Sequence, residues 1–294
     1  MGASKKKVKE KKESKLIYVP FIALVVVLVV ILMLPSIKSV VNPSSSSSGF
    51  PLFQMLKVSN TDYASGNNVE VYFISWLGCP YGASDSWALY EALSHYGQIN
   101  ATPMYSDLEG IPEYVNSFQT ITSEVPGLQF NSSFEPNSTV QFHYIYLIGR
   151  IFTNNNSFSL LNGTMLTYSG DSIVNFELNE LKQEAPSWVY NLITQYQINE
   201  NPPGSTEPLA YEGNPPHIAS TIIITGPKGT YMMIGYDQSA NYNEMTPPAV
   251  LAQSGLTPQQ IFQELKNNSL PPQVYSVINS EAQQILSIIQ NEMG

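Results

Sequence analysis

The residue best placed to do chemistry is Cys79, the one cysteine of the chain. It follows residues 69–76, whose β-branched and aromatic side chains predict a buried strand, and it precedes residues 84–96, whose apolar spacing predicts a helix. A helix N-terminus offers unpaired N–H groups that stabilise a thiolate. This position is compatible with a reactive thiol, but an inert buried thiol left from a lost active site is the slightly favoured interpretation. A disulfide between two chains is the third interpretation, since a lone cysteine has no partner in its own chain.

The loop around Cys79 reads Trp-Leu-Gly-Cys-Pro-Tyr-Gly over residues 76–82, and it resembles the active-site loop of thioredoxins and glutaredoxins. On this resemblance Cys79 is the nucleophile, Pro80 and Tyr81 complete the glutaredoxin form of the motif, and Gly82 stands in the place of the resolving cysteine. Without that second thiol an enzyme cannot release a mixed disulfide by itself. A monothiol reaction with an external thiol stays open.

The same resemblance implies a cis-proline at the start of the third strand, facing the cysteine. The matching stretch is 219–224, where Ser220 takes the place of the proline and His217 lies just upstream.

One cysteine and three histidines without ligand spacing predict no metal site. A Cys79–His217 pair is the alternative. No sequence motif for a phosphate, a cofactor or a hydrolytic nucleophile is present, so we expect no cofactor.

The elements that must position these residues follow in the order of an α/β protein. The strand at 69–76, the helix at 84–96 and a second strand at 99–106 predict a right-handed unit with parallel strands. Residues 221–225 and 230–236 predict an antiparallel hairpin, and 258–267 and 273–291 predict two closing helices. Residues 107–215 form a long middle with predicted helices at 171–182 and 186–197, while 141–152 is ambiguous between strand and helix. The order is that of a thioredoxin-like fold with a large insertion at about 107–215.

Acidic residues cluster after the second predicted strand, at Asp107, Glu109 and Glu113. Paired carboxylates can do acid–base work. On a loop without any partner signal they predict plain surface instead.

The N-terminal region predicts a membrane anchor. Residues 1–15 hold seven basic and two acidic residues, and residues 16–34 hold no charged residue. Nineteen apolar residues suffice to cross the hydrocarbon core, and the positive-inside rule keeps the tail in the cytoplasm. A Ser-rich linker at 35–60 then leads to an extracytoplasmic domain at 61–294. The rival interpretation is a cleaved signal peptide, but the apolar run is long and lacks a cleavage signal.

The outer part is acidic and sparsely charged. Residues 16–294 hold six basic and 21 acidic residues, and charged residues make up 12% of the whole chain, about half the usual share. An acidic domain is a poor nucleic-acid binder, so we expect no nucleic-acid partner. Low charge suits an acidic exterior, in which carboxylates lose their charge; compositional bias is the alternative.

Glycosylation sequons supply a second class of candidate sites. About four N-x-S/T triplets would arise by chance in such a chain. Six occur, all beyond the predicted anchor, at Asn100, Asn131, Asn137, Asn155, Asn162 and Asn267.

Taken together, the Lys-rich tail, the anchor, the Ser linker and residues 72–90 resemble an uncharacterised archaeal family of membrane-anchored, thioredoxin-like proteins. The resemblance implies a fold and a location at the cell membrane, and no reaction. We therefore expect a binding or assembly module that contacts the bilayer through residues 16–34 and other membrane or cell-surface proteins through its outer domain. The alternative is a monothiol thiol–disulfide oxidoreductase that acts on exported proteins through Cys79.

Overall fold

The computed structural model describes residues 49–107, 115–116, 119–120, 123–153 and 156–294. The predicted tail at 1–15, the transmembrane helix at 16–34 and the linker up to residue 48 lie outside this range, as do Glu109, Glu113 and Asn155. No helix within the described residues is long and apolar enough to span a membrane. Residues 49–60, assigned above to the linker, include the buried Phe50 and a strand of the main sheet.

The described residues form a mixed α/β structure, which confirms the predicted class. The strands are β1 (Leu56–Ser59), β2 (Val69–Ser75), β3 (Gly97–Gln98), β4 (Ala101–Tyr105), β5 (Val115–Asn116), β6 (Gln119–Thr120), β7 (Pro126–Phe130), β8 (Glu135–Pro136), β9 (Val140–Tyr146), β10 (Phe152–Thr153), β11 (Ser157–Ser159), β12 (Met165–Thr167), β13 (Thr221–Gly226) and β14 (Gly229–Ile234). The α-helices are α1 (Pro80–Leu93), α2 (Ser172–Glu184), α3 (Ser187–Ile193), α4 (Leu209–Glu212), α5 (Pro247–Gln253), α6 (Pro258–Lys266) and α7 (Pro272–Met293).

The main sheet has the strand order β1-β14-β13-β2-β9. Strand β2 pairs in parallel with β9, and the pairs β2–β13, β13–β14 and β14–β1 are antiparallel. All seven residues of β2 are buried, because this strand lies inside the sheet and both of its faces are covered.

The pairing predicted for the second strand was wrong. Residues 101–105 do form β4, but β4 pairs antiparallel with β7 in a separate two-stranded sheet. The parallel partner of β2 is β9, from the stretch that the sequence left ambiguous and within the range predicted as an insertion. Both stretches are apolar and of strand length, so periodicity alone could not rank them.

The two faces of the sheet carry separate cores. Val69, Val71 and Phe73 of β2 pack with α1 and α7 on one face. Tyr72 and Ile74, which point the other way, pack with side chains of α2 and α3. The alternation of side chains along a strand produces this division.

The predicted hairpin and closing helices are confirmed as β13–β14, α6 and α7. The predicted helix at 186–197 is α3 followed by a π-helix at Thr194–Asn199. Helix α5 was not predicted, because its run of Pro and Ala lacks a clear apolar period.

Candidate functional site

Cys79 lies where the sequence placed it, between β2 and α1. It is the N-cap residue of α1, and Pro80 begins the helix. The backbone N–H groups of Gly82 and Tyr81 and the hydroxyl of Ser75 are hydrogen-bonded to the thiol. The residue is nevertheless only 4% exposed. Cys79 therefore starts the helix as predicted, but solvent does not reach its thiol.

Burial dominates the electrostatics of this thiol. It is the largest influence on the pKa of Cys79, which is raised to about 11 even though the N–H groups of Gly82 and Tyr81 act in the opposite direction. The thiolate is the reactive form of cysteine. At neutral pH Cys79 is therefore a protonated, covered thiol.

Gly82 occupies a position that has no room for a side chain. A Cβ atom there would lie 2.3 Å from Ser75 Oγ, 3.2 Å from Ser75 Cβ and 3.2 Å from Ser220 Oγ. Ser75 is itself buried in β2. The position of the resolving cysteine in the resembled motif is thus closed by packing, and glycine is the residue that this close approach of α1 to the sheet requires.

Ser220 lies next to the motif loop, with its Oγ 3.2 Å from the place that a Cβ atom on Gly82 would take. Its hydroxyl donates a hydrogen bond to Asp85 Oδ2 over 3.1 Å. Asp85 is fully buried in α1 and is hydrogen-bonded side chain to side chain with Glu281 of α7. Two carboxyl groups can share such a bond only if one carries a proton. Apart from this shared bond, Asp85 Oδ1 and Glu281 Oε1 accept no hydrogen bond from the described residues.

The charge on this carboxyl pair is suppressed. Burial and the neighbouring Glu281 raise the pKa of Asp85 well above its ordinary range. Burial and the nearby Asp237 raise the pKa of Glu281 to about 8, against the effect of the Asp237 N–H group that donates to it. The shared hydrogen bond raises the pKa of Asp85 and lowers that of Glu281. Asp85 therefore carries the proton.

The segment that precedes β13 is held by side chains from the other face of the sheet. Glu177 Oε2 of α2 accepts a hydrogen bond from the Ile218 N–H at 2.6 Å. Gln197 of the π-helix accepts from the Ala219 N–H at 2.8 Å and donates to Thr221 Oγ1 at 2.8 Å. The N–H groups of the two residues before Ser220 are therefore already engaged.

His217 is buried in the segment that precedes β13. Its Nδ1 is 2.8 Å from the Pro215 carbonyl oxygen, which makes Nδ1 the protonated nitrogen. Burial lowers the pKa of His217. The ring contacts Trp76 and Phe152. No group of three or more His, Cys, Asp or Glu side chains in the described ranges is arranged to hold a metal ion.

Asp107 corrects the prediction of plain surface. It is 4% exposed, its N–H donates to the Gly78 carbonyl at 2.9 Å, and its Oδ2 accepts from the Phe152 N–H at 2.8 Å. Asp107 thus joins β10, through its side chain, to the loop that leads into Cys79, through its backbone N–H.

The sequon asparagines lie on the surface wherever they are described. Asn100, Asn131, Asn137, Asn162 and Asn267 are all exposed, and Asn155 lies outside the described residues. Asn100 and Asn131 are neighbours, because the Asn131 N–H donates to the Asn100 carbonyl at 3.2 Å.

Sequence reasoning missed the buried acids, although a signal existed. Glu281 lies within the apolar face of α7, between Val277 and Ile285, and Glu177 lies between Ile173 and Leu181 on α2. A carboxylate at an apolar heptad-like position is expected to be buried and protonated or hydrogen-bonded.

Comparison with known proteins identifies a family but no characterised relative. No curated protein and no solved structure matches the chain. A family model described as Domain of unknown function (DUF929) matches residues 54–291, which include Cys79, the main sheet and almost all of α7. The chain therefore belongs to this DUF929 family.

Proposed function

We propose that this chain is a membrane-anchored, extracytoplasmic thioredoxin-like domain that acts as a binding or assembly module at the cell surface or in a membrane complex. The observation that carries the proposal is the closed environment of Cys79. A thiol that is 4% exposed, with a pKa raised to about 11 by burial, is not available to an exported protein.

The sheet supports the thioredoxin-like part of the proposal. Strands β9, β2, β13 and β14 are neighbours in that order, with α1 in the crossover between the parallel pair β2 and β9. The β13–β14 hairpin and α7 follow. The archaeal origin implied by the resemblance stays part of the proposal.

The anchor rests on the sequence. Residues 16–34 contain no charge and the preceding tail is basic, a pattern that favours a single span with the C-terminal domain outside. Exposed sequons agree with export but do not require it.

Two further features support a module without thiol chemistry. Gly82 leaves no room for a resolving thiol. A peptide substrate that paired with the segment before β13 would need free backbone groups, but Glu177 and Gln197 occupy the N–H groups of Ile218 and Ala219.

The alternative, a monothiol oxidoreductase, is favoured by one observation. The N–H groups of Gly82 and Tyr81 act on the sulfur in the direction that stabilises a thiolate. The burial of the same sulfur outweighs them, since it is the largest influence on its pKa.

Alkylation of Cys79 separates the two functions. The full chain, purified in detergent, is treated with a maleimide at pH 7 with and without denaturant, and labelling is followed by mass spectrometry. Labelling only after denaturation is expected. A Cys79→Ala/Thr167→Cys variant, whose new thiol lies on an exposed strand residue, should label at once without denaturant. Rapid labelling of native Cys79 would overturn the proposal and favour the oxidoreductase.

Binding is tested in parallel by purification from native membranes after mild solubilisation. Defined stoichiometric partners, or a defined assembly of the chain itself, are expected. Recovery of single, unassociated chains under all conditions would contradict an assembly role.

A further inference from the structure

The two edges of the main sheet differ in how well they are protected. Strand β1 forms one edge and β9 forms the other. An exposed edge presents unpaired N–H and C=O groups to any other strand, and proteins usually protect such edges with short strands, charges, prolines or bulges.

Strand β1 is protected in three ways. It has four residues, it carries the exposed Lys57, and its register shifts between Lys57 and Ser59. A further strand could not extend along it without meeting a charge and a bulge.

Strand β9 has none of these devices. It pairs with β2 over seven consecutive residues without a register shift, and its sequence Val-Gln-Phe-His-Tyr-Ile-Tyr holds no Lys, Arg, Asp, Glu or Pro. Among the described residues, the backbone groups of Gln141–Tyr146 pair with no strand other than β2. A long, uncharged strand of this kind is suited to pairing with another strand.

The side chains along β9 are already ordered. His143 stacks on Tyr72 at 4.6 Å between ring centroids and lies 3.9 Å from Glu70. On the opposite face Phe142, Tyr144 and Tyr146 pack against one another. An incoming strand would find a row of fixed side chains on each face, which lowers the entropy cost of pairing.

We propose that β9 is the interface with a second copy of this chain, in which two β9 strands pair antiparallel about a two-fold axis at His143 and join two five-stranded sheets into one. The inference deepens the proposed assembly function and rests on it.

The sequence of β9 is complementary to itself in this arrangement. When the two-fold axis passes through His143, all seven residues of one β9 strand lie opposite residues of the other β9 strand. It places Val140 opposite Tyr146 and Phe142 opposite Tyr144, which are the aromatic and β-branched cross-strand pairs that stabilise sheets. It also places His143 opposite its own copy. Burial lowers the pKa of His143, so at pH 7 the two rings meet uncharged.

Charge favours this location over other surfaces. Residues 16–294 hold 21 acidic and six basic residues, so two copies repel each other wherever acidic side chains meet. The seven residues of β9 contain no acid. Strand β9 itself therefore brings no acidic side chain into the contact, and the acid nearest to the axis is Glu70 of β2, which lies 3.9 Å from His143.

The expected affinity is modest. A single strand–strand contact buries less than the roughly 1,200 Å² of a stable interface. Anchoring to one membrane raises the effective concentration of the copies and compensates for the small area. We therefore expect dimers in vesicles and partial dissociation in dilute detergent.

A disulfide across the two-fold axis tests the register. Residues directly opposite in an antiparallel pair have Cα atoms about 4.5–5.5 Å apart, within the range of a disulfide. Full-length Cys79→Ala/His143→Cys and the matched Cys79→Ala/Lys57→Cys, which places the thiol on the opposite edge, are reconstituted in vesicles and oxidised. Covalent dimers of the His143 variant alone are expected. Equal dimer yields, or dimers only through position 57, would overturn the proposal.

A second measurement uses the chain with native Cys79. Single-molecule subunit counting in vesicles should find dimers, and His143→Lys should shift the population at least fivefold toward monomers, because two like charges would meet at the axis. Thr167→Lys, on a strand outside the main sheet, should leave the dimers unchanged. Monomers of the wild-type chain would refute the dimer. If other proteins still co-purify, the assembly function itself would stand.

Discussion

The Ser220 hydroxyl donates a hydrogen bond to Asp85 Oδ2 over 3.1 Å, and so joins the start of β13 to the second turn of α1 close to Cys79. Asp85 passes the connection on to Glu281 of α7 through a shared proton. Three elements far apart in sequence thus meet in one buried polar cluster. The stability of the domain should depend on this cluster more than on any surface ion pair.

Gly82→Ala should destabilise the domain by about 1–3 kcal/mol, because the new methyl group overlaps the Ser75 side chain. Ser75→Ala removes the closest atom, Ser75 Oγ, so the double variant should recover part of the loss. Denaturant unfolding of the four proteins in a double-mutant cycle measures the coupling. Additive effects would show that α1 does not approach β2 as closely as described.

Stability should fall as pH rises from about 4.5 to about 8. The pKa values of Asp85, Glu177 and Glu281 are raised in the folded domain, mainly by burial, and that of Glu281 reaches about 8. The folded state therefore binds protons that the unfolded state releases, so the stabilisation is complete in acid and is lost as pH rises through the folded pKa. Each pKa unit corresponds to about 1.4 kcal/mol. Thermal unfolding from pH 3 to pH 9 measures the trend.

Glu281→Gln should flatten this profile, because the amide still accepts from the Asp237 N–H and from protonated Asp85 but no longer titrates. Glu184→Gln, on the exposed part of α2, is the matched control and should follow the wild-type curve. Lowest stability near pH 3 would contradict both the profile and the idea of an acidic exterior.

Glu177→Ala and Glu177→Gln should behave differently. Alanine leaves the buried Ile218 N–H without an acceptor, which costs about 1–3 kcal/mol. Glutamine keeps an acceptor and removes a buried acid, so at pH 8 it should match or exceed the wild-type stability. Hydrogen exchange at Ile218 and Ala219 gives a local readout. Similar protection in both variants would mean that Glu177 does not hold this segment.

The sequon at Asn162 should be modified if the domain is exported. Asn162 is exposed in a turn, where its Oδ1 accepts from the Thr164 N–H at 2.9 Å. Intact-mass analysis of membrane-purified chain should therefore show glycans, and Thr164→Ala should remove one without affecting stability. An unmodified mass would argue against glycosylation and weaken the case for export.

The sequence was sufficient for the elements whose pattern is local. The β2 strand, α1, the β13–β14 hairpin and α7 follow from strong periodicity or from an uninterrupted β-branched run. The pairing of β2 with β9 did not follow, because β4 and β9 are both short apolar strands and the choice depends on packing across the sheet. The motif singled out Cys79 and Ser220 as candidate site residues, but it did not predict that both are buried.

The buried acids illustrate the remaining gap. Glu281 and Glu177 interrupt apolar helix faces, and that irregularity can be seen in the sequence. The partner of each acid cannot, because Asp85 lies nearly two hundred residues from Glu281 and Ile218 lies 41 residues from Glu177.

The tight contact at Gly82 also sets the order in which this scaffold could be redesigned. A Gly82→Cys substitution made alone would supply the second thiol of a dithiol site. The new Cβ atom would overlap the Ser75 side chain and strain the fold. A Ser75→Gly substitution must come earlier, because it removes both Ser75 atoms that crowd the site. A second thiol at position 82 thus requires a prior substitution in the sheet, outside the motif.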